Sequence, residues 1–184
     1  MLSNGRGART NDSKYAGAVE GPRVAMHFLE QNEIAEWCRE HGIAVDDDRL
    51  VPALDPVRVL SRMQYANGRR SGREAAVAAA CVGELGDWTE CLLVPLQWGI
   101  WASGEDWPTY YAARAAHDER RSIDTAPGHL FDSTERDELI RFLTMVMENG
   151  WDADVLAAVG SKQSAKRLFV SHDEWIEVRL ANRP

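Results

Sequence analysis

The sequence is short of most features that announce a function. Its three cysteines, Cys38, Cys81 and Cys91, are odd in number and lack C-x-x-C spacing, which speaks against a disulfide framework or a zinc knuckle and favours a reducing, cytoplasmic setting. No apolar run approaches the roughly 18 residues that span a bilayer, the longest being Ala75 to Val82. The opening "MLSNGRGARTNDSKYAG" has no apolar stretch after its basic residues and does not read as a secretory signal. Neither G-x-G-x-x-G, a P-loop nor H-E-x-x-H occurs. Basic residues are outnumbered, 21 Lys and Arg against 29 Asp and Glu, for a formal net charge of -8. That balance argues against generic phosphate-backbone binding and therefore against nucleic acid as a partner. No membrane, metal or cofactor is expected.

What is present suits a globular domain: 184 residues, 45% hydrophobic and 27% charged. Residues 1–22 contain hardly any bulky apolar side chains and read as a flexible tail, leaving 23–184 as a single α/β domain. Ile34, Trp37, Cys38 and His41 recur at helical spacing, with Gly42 placed for a left-handed cap. "VRVLSRMQY" alternates like a half-exposed strand, and Ser71 with Glu74 forms a capping box before an Ala-rich helix apolar nearly all round. "ECLLVPLQWGIW" is a buried strand in which Pro95 marks an edge or bulge. Strand, helix and strand in that order suggest a parallel βαβ crossover.

Asp106 and Pro108 suit the start of a third helix, and "PGHLF" reads as a turn. Asp132 and Glu135 offer a capping box for a helix with the stripe Leu139, Phe142, Leu143 and Val146, closed by Asn149-Gly150. "ADVLAAVGSKQSAKRLFVSH" fits a hairpin. The fold expected is α+β, a small mixed sheet of about four strands with a crossover and a C-terminal hairpin, covered by about four helices.

Two regions carry candidate chemistry. "SHDEW" at 171–175 crowds a hydroxyl, an imidazole and two carboxylates, but Ser171 and Glu174 fit a capping box with Trp175, Ile176 and Leu180 facing inward along a terminal helix. His129 follows a Pro-Gly pair, where loops present functional side chains. If His129 and His172 converged with Asp132, Asp173 or Glu174, they would form an acid and base pair or a metal site for a hydrolase or nuclease. The second region, "WGIWASGEDWPTYYAAR", groups Trp98, Trp101, Glu105, Asp106, Trp107, Tyr110, Tyr111 and Arg114. Trp, Tyr and Arg are the residue types enriched at interface hot spots. Arg69, Arg70 and Arg73 form a basic patch with no phosphate-binding motif, and the cysteines sit in apolar contexts as inert core thiols. The leading expectation is a non-catalytic protein-interaction module, of the immunity or antitoxin type, whose acidic aromatic surface meets a basic protein partner. The alternative is the small hydrolase.

Overall fold

A computed structural model of the chain describes residues 26–46, 51–52, 58–64, 72–98, 106–159 and 165–180. The expected tail, Ser71, Arg69, Arg70, Trp101 and Glu105 lie outside the described residues.

Where local chemistry decides, the elements form where the pattern places them. Helix α1 (Gln31–Glu40) begins as the Glu30 N–H donates to Glu33 Oε2 at 2.7 Å. It buries Ile34, Ala35, Trp37 and Cys38, and ends as Gly42 turns left-handed at φ 68°. Helix α3 (Trp107–Ala115) is capped by Asp106, whose Oδ1 accepts the Thr109 N–H at 3.1 Å. Helix α4 (Arg136–Asn149) follows a 3₁₀ turn, Ser133–Glu135, in which Asp132 and Glu135 form the expected capping box. Gly150, at φ 65°, closes it.

Helix α2 (Glu74–Leu85) differs from expectation at its start, where Arg73 is the N-cap and makes no side-chain cap bond. It packs on the sheet through one side, Ala78, Cys81, Val82 and Leu85. Ala75, Ala76, Ala79 and Ala80 are exposed. Alanine stabilises a helix through its low entropy cost, without needing burial, so an apolar circumference here does not imply an enclosed helix.

The sheet is larger than the pattern suggests. It has seven strands in the order β1 (His27–Leu29), β6 (Gly128–Asp132), β5 (Glu90–Gln97), β7 (Asp152–Ala158), β8 (Ala165–Val170), β9 (Trp175–Leu180) and β4 (Arg58–Gln64). Each neighbouring pair is antiparallel. A separate ribbon joins β2 (Val45–Asp46) to β3 (Val51–Pro52). The fold is α+β. β4, α2 and β5 do make a crossover between strands of like direction, but β9, β8 and β7 stand between them, so the adjacent parallel pair is not formed. The β7–β8 hairpin forms as expected. Pro95 lies past the last β5–β6 pair, Leu93 with His129, and at a register shift on the β7 side. There its missing N–H costs no ladder bond.

Two assignments are corrected. From Gly128 on, "PGHLF" runs into strand β6, because Gly128 lets the chain run close under α1: a Cβ there would stand 2.8 Å from Ile34 Cγ1. "SHDEW" is not a helix start but the turn between β8 and β9, and Trp175 opens a strand.

Helices α2, α3 and α4 share one large core with the side chains of Cys91, Leu93, Val155, Leu168 and Ile176. Helix α1 covers part of the opposite face, over Leu92, Val94, Leu156 and Ala165. Along β7 residues alternate between the two, so Ala153 and Val155 face the helices while Leu156 and Ala158 face α1. This layering brings the exit of β5, the start of α3, the end of α4, the start of β7 and the β8–β9 turn to one rim.

Candidate functional site

At that rim the start of α3 is tied to the end of α4. The Asp106 N–H donates to Asn149 Oδ1 at 2.9 Å, and Asn149 Nδ2 donates to the Met145 carbonyl at 2.9 Å. Trp151, fully buried, is the platform beneath. Trp107 lies on it with ring centroids 4.9 Å apart, and Tyr111 stacks on Trp107 at 5.9 Å. Trp107, Tyr111, Asp106 and Trp98 are half-buried, so each offers an edge to solvent. Beside them a cleft of about 50 Å³ is lined by Asp106, Thr109, Tyr110, Met145, Glu148 and Asn149. That is far below the roughly 300–1,000 Å³ of small-molecule sites, and too small for a cofactor.

Two members of the expected surface are not on it. Tyr110 and Arg114 are fully buried. Helical periodicity explains the split: with Trp107 and Tyr111 at the rim, Tyr110, Ala113 and Arg114 face the core. Their partner is His129. Arg114 Nη1 lies 3.1 Å and Tyr110 Oη 2.8 Å from His129 Nε2, while His129 Nδ1 lies 2.8 Å from the Pro127 carbonyl. A guanidinium can only donate, so Nε2 accepts, and Nδ1 carries the proton and donates to Pro127. Burial, reinforced by the adjacent Arg114 charge, pushes the His129 pKa down to about 3. Arg114 Nη2 also holds the carbonyls of Arg121 and Ala126, and its guanidinium lies 4.7 Å from the centre of the Phe28 ring. This triad is an internal pin, neutral at its imidazole and closed to substrate.

His172 is placed differently. Ser171 N–H donates to the Trp175 carbonyl at 2.9 Å and Glu174 N–H to the Ser171 carbonyl at 3.0 Å. Glu174 is left-handed at φ 64°, the pattern of a three-residue hairpin loop. Asp152, buried at the start of β7, accepts from the His172 backbone N–H at 2.6 Å and lies 2.9 Å from Nδ1. Nε2 points to the other side, 3.6 Å from Asp173 Oδ1. Asp152 was not foreseen because it is 20 residues from His172, and no sequence spacing signals a contact made by strand register.

The two histidines therefore do not converge. β5 and β7 stand between β6 and β8, which at about 4.8 Å per strand separates them by roughly 14 Å across the sheet alone. Asp132 stays with its capping box. The structure instead brings His172, Asp173 and Glu174 to the same rim as Asp106 and Trp107.

A further charged pair lies on the α1 side of the sheet, where Arg167 Nε and Nη2 meet the two Asp154 oxygens at 2.6 and 2.5 Å. Both residues are buried, so each neutralises a charge the interior would otherwise penalise. Burial pushes the Cys38 thiol up to about 12 and the Cys81 thiol to about 11, with Cys91 raised further, as inert core thiols require. Among the described residues no group of three or more His, Cys, Asp or Glu is placed to hold a metal ion, and no helix is long and apolar enough to cross a membrane. Compared with known proteins, the chain matches no family model, no curated protein and no solved structure.

Proposed function

We propose that the chain is a protein-interaction module that uses the rim of Trp98, Asp106, Trp107 and Tyr111 to bind a basic partner, as an immunity or antitoxin-type protein would. The observation that carries this reading is Trp107, a large ring held half-exposed on the rigid Trp151 platform beside the Asp106 and Glu148 carboxylates. A pre-ordered aromatic loses little entropy on binding, and flanking acids steer a basic partner toward it. Tyr110 and Arg114 serve from beneath, fixing α3 to β6. The test is binding to an array of peptides that vary in charge and aromatic content. Wild type is expected to select Lys- and Arg-rich peptides, with selection lost in the Asp106→Lys, Trp107→Ala double variant and weakened by salt. Selection without charge preference, or unchanged in that variant, refutes the reading.

A second reading is supported by the Asp152–His172 contact alone. A buried carboxylate orienting a half-exposed imidazole is the arrangement of a general base. The hydrolase would use His172 with Asp152, not with His129. Hydrolysis of an activated-ester panel that falls in His172→Ala, with the fold retained, would select it.

A further inference from the structure

The C-terminus of α1 carries an imidazole with an acceptor at each of its nitrogens. His41 caps the helix, and its Nδ1 lies 2.8 Å from the Trp37 carbonyl, an oxygen that can only accept, so Nδ1 holds a proton. Its Nε2 lies 3.6 Å from Glu90 Oε2 on β5, the same oxygen that accepts the Trp37 indole N–H at 2.9 Å. The His41 ring stacks on Trp37 with centroids 4.2 Å apart, which sets its plane between the two acceptors. One ring therefore joins the end of α1 to the start of β5.

A neutral imidazole has a single N–H, and here the Trp37 carbonyl takes it. Only the imidazolium has a second N–H to offer Glu90. A charged ring is also attracted by the negative end of the α1 dipole, where His41 stands. From this geometry we propose that His41 makes the seating of α1 on the sheet pH-dependent: the helix is clasped to β5 while the ring is charged and loosened when Nε2 loses its proton. The face at stake is the one α1 covers, where Ile34, Trp37 and Cys38 pack with Leu92, Val94 and Leu156. The other charged groups of the surrounding elements are accounted for. Arg39 and Glu40 flank His41 on α1 and are exposed, and Asp46 lies on β2. Asp132, across from Glu90 on β6, has its Oδ1 taken by Thr134, while Asp154 and Arg167 pair with each other on the inner side, toward Cys38. The Trp37 to Glu90 bond needs no proton from His41, so the change is a loosening and not a release. Imidazoles ordinarily change charge between about pH 5 and 8, so the clasp answers to mild changes in the medium. It is independent of the partner-binding reading, which uses other residues.

Amide hydrogen exchange on the full chain at about pH 5.5 and about pH 8, corrected for the intrinsic rate at each, tests it. Both clasp partners reach solvent, His41 being 23% and Glu90 44% exposed. The α1 amides of wild type are therefore expected to lose about two- to fivefold in protection relative to those of α4 at the higher pH, the effect of a partly exposed ion pair. His41→Gln and Glu90→Gln, the second keeping an oxygen for the Trp37 indole, should show no such loss. Each variant retains the other histidines outside the clasp, so their titration cancels in the comparison. Ring-nitrogen NMR shifts of His41 should report both nitrogens protonated at the lower pH and Nδ1 alone at the higher. Wild-type α1 protection that does not move with pH, or that moves equally in either variant, would overturn the proposal, as would a neutral His41 ring with its proton on Nε2.

Discussion

His129 and His172 are the same side chain put to opposite uses. One is enclosed by Phe28, Phe142, Tyr110 and Arg114, with both ring nitrogens engaged inside the protein. The other stands on a turn, held from behind by one buried carboxylate and open in front. The lesson is that an imidazole's chemistry follows from what surrounds it. A Pro-Gly pair before His129 looks like a site of display, yet it leads into a central strand. A polar pentad that looks like a helix cap is the element that reaches solvent.

The largest effect that distinguishes the two histidines should be acid sensitivity. The folded-state pKa of His129, about 3, lies below its unfolded value of about 6.5. The unfolded chain therefore takes up the proton first. The contribution is fully present above pH 6.5 and is lost as pH falls toward 3, by up to about 5 kcal/mol if the site does not relax. Denaturant midpoints measured across that window should fall steeply in wild type and more shallowly in His129→Gln. Equal slopes would mean that the imidazole is not held neutral in the core.

How much of this was legible depends on whether the deciding interaction is local. The capping box of Asp132 and Glu135, the Asp106 cap, the Gly42 terminus and the Pro95 irregularity are set by residues within a few positions of one another, and each is found where the pattern puts it. β1 and β6 are strands because of partners far away in the chain, and β9 because it is held between its hairpin partner β8 and the distant β4. Their own residues are ambiguous. "SHDE" satisfies a capping box and a hairpin loop equally well, and only the Val170–Ile176 pairing decides between them. The alternation of Ile176 and Val178 inward with Glu177 between them was the available signal for β9. Of the candidate site, the grouping of Asp106, Trp107 and Tyr111 was readable, whereas the inward turn of Tyr110 and Arg114 needed the register of α3. Asp152 needed the sheet.

A smaller effect sharpens the contrast from the other side. Glu174 holds a left-handed conformation at φ 64° that glycine adopts without a Cβ penalty. Glu174→Gly should therefore raise stability by about 1 kcal/mol or less, read as a higher denaturant midpoint. A loss instead would show that the Glu174 side chain contributes more to the turn than its backbone costs.

The central claim is that His129 belongs to the core and His172 to the outside, and selective chemical modification measures it directly. Treating the native protein with diethyl pyrocarbonate and mapping the adducts by mass spectrometry should show His172 modified and His129 untouched until denaturant is added. Modification of His129 in the native state at a rate like that of His172 would contradict the account.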